Sequence, residues 1–451
     1  MPFFAHPFDV YGWYMASEDM VKIGPFAKVY IFPPMWQYTI IPLAYLYHWL
    51  STIFHTGAIP VNTIPVELNP GWNIKYVPGP LFNFVIKIPL LISDALAAFI
   101  IYKAVEQLTE KRIDAQRAAF LWFLNPFLIW ISCGWGEYDT LPTLFAAASF
   151  LLLIRRRTKF SAICLAISAL YKLYTLLFLV PIFIFFLRKW RPNWRREWLK
   201  FLFIFLLFCV VVESPQLWLL WSQHSLSQLW GFPSYFYAPT PFFGFFGFGL
   251  TYWTISLLVP LDVNFLTLIM DVVMLCVMAL TFSVIGKSRF GRIYFDLAAS
   301  ELSCLVALFL SFRVICEQYF VWALPFFIIV CIEGRIKKWL YGVSSIIALA
   351  YAQKNFPFYL LPAYPWIGTT LVQLARLVKP FGQTSQVQGW VVTMPSFSGA
   401  VILTVLGFCF SFIMLLLYFR LISGLDWKFT EFFKRRLITV VNIKFETILI
   451  N

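Results

Sequence analysis

Asp9 lies in FDVYGWY, Glu137 and Asp139 in WGEYD, Lys172 in ALYKLYTLL, and Arg313 and Glu317 in SFRVICEQYF. Acids and cations of this kind, gathered in one layer, are what proton transfer next to a phosphate requires. An aspartate flanked by aromatics at a membrane surface stays ionised yet is shielded from bulk water, so Asp9 reads as a base for a hydroxyl or as a plain surface carboxylate. Asp139 precedes a helix start marked by Pro142, so it reads as a helix cap or as a ligand-binding acid beside Glu137. Trp135 and Tyr138 offer flat faces on which sugar rings stack. Lys172 interrupts an apolar stretch and either snorkels or meets a partner or a head group. The Arg313–Glu317 spacing allows an ion pair along one helix, or leaves the arginine fork to grip a phosphate.

The elements that position these residues are membrane helices. The chain has 451 residues, is 61% hydrophobic and 12% charged, and has a mean hydropathy of +0.78. A soluble domain is about half apolar and a quarter charged. Its net charge of +14 does not indicate nucleic acid, because the basic residues fall in short clusters between apolar runs. No CxxC pair, HExxH pattern, P-loop or dinucleotide fingerprint is present, which leaves ATP-driven and NAD-dependent chemistry without support. The reading is all-α: a polytopic helical bundle with no cofactor, a divalent metal being the alternative.

Apolar runs at 81–103, 201–221, 263–285, 293–313 and 399–420 are long enough to span, and six shorter ones bring the expected number of crossings to about eleven. Six connections (103–117, 155–159, 188–200, 287–292, 335–338 and the tail from 420) hold 26 of the 35 Lys and Arg residues. The positive-inside rule makes that side cytoplasmic. The chain then divides into a first outer loop (1–80) with an interfacial helix at 33–50 (as a twelfth crossing, the alternative, that segment would put the amino terminus inside), a transmembrane core (81–353), an outer loop (354–398), and a last span with a cytoplasmic tail (399–451). Asp9, Glu137, Asp139, Lys172, Arg313 and Glu317 fall on the outer side.

Five pieces resemble the GT-C superfamily of integral membrane glycosyltransferases, and within it the polyprenyl-phosphate-sugar-dependent mannosyltransferases. They are FDVYGWYMASEDMVKIGPF with YIFPPMW, KIPLLISDALAAFIIY, FLWFLNPFLIWISCGWGEYDTLPTLF, ALYKLYTLLFLVP and EQYFVWALPF. The resemblance implies inverting transfer of a hexose, mannose first, from a polyprenyl (dolichyl) phosphate donor to a glycan, glycolipid or glycoprotein acceptor on the non-cytoplasmic face. It implies Asp9 as general base and Lys172 and Arg313 on the donor phosphate. Trp135, Glu137, Tyr138, Asp139, Glu317 and Gln318 would then contact sugar or acceptor. Two departures stand out: only eight residues precede Asp9 where the family has a helix, and Val10 and Tyr11 follow it where many relatives pair a second acid.

The alternatives are a transporter or lipid flippase, suggested by the intramembrane acids Asp94, Asp271, Asp296 and Glu301, and an inactive subunit of a glycosylation complex. The partners expected are the donor, the acceptor and the bilayer, without nucleic acid. ETILIN at the carboxy terminus carries no retrieval signal, so the cell membrane is expected ahead of the endoplasmic reticulum.

Overall fold

The computed structural model describes residues 4–27, 33–60, 76–222, 249, 263–312, 315–353, 382–387, 390–395 and 397–425. The architecture is an all-α membrane bundle. Two helices of 17 and 20 residues come first, α1 (Pro7–Ile23) and α2 (Met35–Phe54). The long α3 (Pro80–Thr109) and α4 (Arg112–Phe123) follow. Next come a short α5 (Pro126–Ile129) that widens into a π turn (Trp130–Trp135), α6 (Thr140–Ile154) and α7 (Thr158–Tyr171). A 3-10 segment (Leu173–Phe178) leads into α8 (Leu179–Lys189) and then α9 (Trp194–Ser222). Beyond these lie α10 (Val263–Lys287) and α11 (Ile293–Ser311). A second 3-10 segment (Glu317–Ala323) leads into α12 (Leu324–Glu333), followed by α13 (Lys338–Ala352) and α14 (Phe397–Leu425). The only described strands form two small antiparallel ribbons, Ile59–Pro60 with Tyr76–Val77 and Gly382–Val387 with Trp390–Pro395.

Among the described residues, five helices are long and apolar enough to cross a membrane: α3, α9, α10, α11 and α14. They coincide with the five long apolar runs of the sequence. The pair α4 and α5 with its π turn makes a sixth if the 42° bend is one broken span. The other expected crossings are helices too short to span alone, and two of them begin as 3-10 turns that break the helix. Irregular backbone within a membrane protein is tolerated where protein shields it from lipid, and each break turns one side into the core, Tyr174, Thr175 and Phe178 in the first and Phe320, Val321 and Trp322 in the second, while Leu173 and Leu176 of the first face outward. The segment near 33–50 is a 20-residue helix with Pro42 inside it, long enough to span but not apolar enough to count among the candidate spans. The loops expected near 222–262 and 354–398 lie largely outside the described residues.

Two apolar clusters hold the bundle. The larger joins α3 through α14, with α9 entering through Phe201 and Phe205 and α10 through Met278, Val284 and Ile285. The smaller seats α1 and α2 on the start of α3 through Trp13, Tyr14, Trp36 and Phe82. On their other faces α9 and α10 present long apolar rows outward, Leu199, Phe203 and Leu206 on one and Phe265, Leu268 and Val272 on the other. Apolar surface on that scale suits contact with lipid tails.

The basic connections meet at one end of the bundle. Arg155 reaches Gln107, the Tyr294 hydroxyl donates to the Ile154 carbonyl, and Arg188 donates to the Gly286 carbonyl. Arg335 pairs with Asp296 and Glu333, and Arg420 donates to the Arg335 carbonyl. One-sided clustering of this kind is what a membrane topology imposes on Lys and Arg.

Candidate functional site

The opposite end carries the acids singled out in the sequence. Asn125 caps α5, its Oδ1 accepting from Phe127 N (3.0 Å) and Leu128 N (3.3 Å). Pro126 fits the first helical position because its missing N–H would have been unsatisfied anyway. The chain then closes in a π turn whose end is Gly136 at φ 87°. A side chain is excluded there twice over, since a Cβ would come 2.8 Å from Lys87 Cε. Lys87 donates to the carbonyls of Phe4, Cys133 (2.9 Å) and Gly134 (3.0 Å), tying the amino terminus to this turn.

The turn delivers Glu137, Tyr138 and Asp139 to Lys172, which sits at the break between α7 and its 3-10 continuation. Lys172 Nζ lies 3.1 Å from Glu137 Oε1 and 2.9 Å from each oxygen of Asp139. Trp322 Nε1 also donates to Asp139 Oδ1. Three rings surround the ammonium: Tyr138 at 4.5 Å, Tyr319 at 5.4 Å and Trp322 at 5.8 Å from their centroids. Trp322 is stacked between Tyr174 (3.9 Å) and Tyr319 (4.2 Å). Lys172 therefore does not snorkel. The Asp139 side chain makes no capping bond to α6; its backbone carbonyl accepts from Thr143 instead.

Asp9 joins the same end through Trp135, whose Nε1 donates to Oδ2 at 2.8 Å. His6 Nδ1 lies 3.0 Å from the same oxygen, and the His6 ring stacks on Trp135 at 4.7 Å. Exposure falls from Asp9, 26% accessible, through Glu137, 6%, to Asp139, fully buried.

Burial disfavours the charged form of all four groups, and their surroundings separate them. At Asp9 burial is outweighed by His6 and the Trp135 N–H, which hold the carboxyl below its ordinary value. At Glu137 burial prevails over Lys172, helped by Asp9 and Asp139, and its pKa rises well above the usual carboxylate range. Burial lifts Asp139 as well, with Lys172 and Trp322 opposing the rise. At Lys172 the two acids overcome desolvation and raise the ammonium well above its ordinary value.

The structure thus brings Asp9, Trp135, Glu137, Tyr138, Asp139 and Lys172 into one connected cluster. Glu317 is buried and Gln318 half-buried on the 3-10 segment that supplies Tyr319 and Trp322, and Gln318 Oε1 is buried with no partner among the described residues. Arg313 lies outside the described residues. His6, Tyr174, Tyr319 and Trp322 were missed by sequence reasoning. None has a spacing signal, since Trp322 meets an acid 183 positions away and Trp135 meets Asp9 across 126.

Chemically the cluster is rich in acceptors and its lysine is compensated. Lys172 faces two carboxylates, so the cation assigned to a departing lipid phosphate already has its counter-ions. The arrangement suits a ligand that brings hydrogen-bond donors, such as sugar hydroxyls or a primary ammonium, with aromatic faces alongside.

Residues 44–251, a little under half of the chain, match the family model described as GPI transamidase subunit PIG-U. That match overturns the glycosyltransferase expectation. The family is that of a transamidase subunit, so mannose transfer, Asp9 as its general base, the polyprenyl-phosphate sugar donor and the glycan, glycolipid or glycoprotein acceptor are corrected together. No curated protein matches the chain. The matched stretch contains Trp135, Glu137, Tyr138, Asp139 and Lys172, while Asp9 and Trp322 lie on either side of it.

Proposed function

We propose that this protein is a non-catalytic membrane subunit of a GPI transamidase-type assembly, resident in the endoplasmic reticulum membrane. The family match supports the subunit role, and it favours the subunit alternative of the sequence reading over the enzyme. The observation that carries the site's part is Lys172 held between Glu137 and Asp139. A site with its cation compensated is poorly built to stabilise a leaving phosphate, which requires uncommitted positive charge where the negative charge develops. It is well built to hold hydroxyl-rich groups against aromatic rings. We assign to it the glycan portion of a GPI anchor, presented on the non-cytoplasmic side while another subunit performs the exchange.

The test is co-purification. The chain, tagged and solubilised from a eukaryotic membrane in mild detergent, is expected to bring down the other transamidase subunits in stoichiometric amounts. Recovery of the chain alone, together with transfer of labelled mannose from a polyprenyl-phosphate donor by that preparation, would overturn the reading.

A further inference from the structure

The basic end holds a cavity of about 490 Å³ that the reading above does not use. Its walls include Arg289, Arg292, Asp296, Glu333, Arg335 and Gly424, drawn from the loop before α11, the turn after α12 and the end of α14. That size falls within the range of small-ligand sites, about 300–1,000 Å³.

The charges are only partly used within the protein. Arg335 Nη2 binds Asp296 Oδ1 (2.7 Å) and Glu333 Oε1 (3.0 Å). Asp296 Oδ2 accepts from the backbone N–H of Arg292 (3.0 Å), closing the start of α11. Arg292 reaches Glu333 Oε1 only at 3.5 Å, with its side chain 70% exposed. Two buried atoms then remain without a partner among the described residues, Arg335 Nη1 and Glu333 Oε2. One needs an acceptor and the other a donor, and leaving either unmade is costly for a charged group.

We propose that this cavity binds a phosphorylated polyol, carried on a lipid head group or free. Phosphate oxygens satisfy Arg335 Nη1, with Arg289 and Arg292 at the rim adding charge-assisted bonds. A ring hydroxyl donates to Glu333 Oε2. A simple anion would leave that carboxylate oxygen unmet, which is why the ligand is a polyol ester. Gly424 sets the fit, because a Cβ there would lie 3.3 Å from Arg335 Cδ and a larger side chain would displace the guanidinium. The cavity lies at the end where the basic connections gather, where anionic head groups are concentrated if that end is cytoplasmic.

The purified full-length chain is titrated with phosphatidylinositol 4-phosphate in mixed micelles, with soluble inositol 1,4,5-trisphosphate, with inorganic phosphate and with phosphatidylcholine. Binding is followed by native mass spectrometry and calorimetry. Saturable binding of a phosphoinositide or inositol phosphate is expected, at least tenfold tighter than inorganic phosphate, and the stronger of the two inositol arms identifies lipid or free ligand. Arg289→Gln with Arg292→Gln, and separately Gly424→Leu, are expected to weaken it tenfold or more. Arg156→Gln with Arg157→Gln, which removes two exposed charges at the same end, is expected to change it less than twofold. Where a variant fails to fold, protection of Arg289 and Arg292 in the wild type from phenylglyoxal by soluble inositol phosphate supplies the readout. No binding above phosphatidylcholine, no protection, or an equal loss in the Arg156/Arg157 variant overturns the proposal.

Discussion

Lys172 Nζ lies 2.9 Å from both carboxylate oxygens of Asp139, and the Trp322 indole N–H donates to one of the same oxygens. This is a buried ion pair with its hydrogen bonds satisfied. The attraction offsets desolvation only while both members are present.

Lys172→Met is therefore expected to destabilise the protein by about 3–5 kcal/mol, because it leaves Asp139 buried without its counter-ion. Lys172→Met combined with Asp139→Asn should recover much of that loss. Thermal unfolding of the detergent-solubilised variants measures both. Additive losses in the double variant would show that the two side chains do not act as a unit.

The acids of the cluster give opposite responses to pH. Asp9 is held below its ordinary value, so its contribution is present at neutral pH and is lost as the pH falls through its folded-state pKa, below about 3.9. Glu137 is raised, so its contribution is full below its unfolded value of about 4.3 and declines as the pH rises toward the folded one. Glu137→Gln should accordingly melt at a temperature less dependent on pH above that point than the wild type does. The melting temperatures of the two proteins between pH 4.5 and 8 check this, and a constant difference across the range would contradict it.

Asn125 was read in the sequence as part of a motif resembling a transferase. In the structure it caps α5 and donates to Tyr341 Oη (2.6 Å) and Ser345 Oγ (3.0 Å), fastening α13 to the start of α5. Asn125→Ala removes a cap and two buried bonds. A loss of about 2–4 kcal/mol is expected, from a cap worth about 1 kcal/mol and bonds of roughly 1 kcal/mol each. Urea or thermal unfolding measures it, and a change below 0.5 kcal/mol would show that α13 does not depend on this residue.

These cases show what could be read from the sequence. Hydropathy found the five long helices, since each needs only a local apolar run. It could not resolve the 3-10 breaks before Leu179 and Leu324, where short apolar runs hide chain irregularity that tertiary burial stabilises. Charge counts along the chain put Asp9, Glu137 and Lys172 in one outer layer, while their contacts with one another, and those of His6 and Trp322, depended on packing between distant segments. The functional error has a physical origin. Asn125, the Trp135–Gly136 turn, Asp139 and Lys172 hold one another in place within the fold, and such an arrangement reads as a reaction motif without specifying a reaction. Fold likeness does not carry chemistry.

A GPI-anchored reporter in cells whose own subunit of this type has been removed tests the central claim most directly. The wild-type chain is expected to restore the reporter to the cell surface, and Lys172→Met with Asp139→Asn, folded and assembled, to restore it at least fivefold less. Failure of the wild type to restore the reporter while it assembles normally, or full restoration by the double variant, would contradict the account.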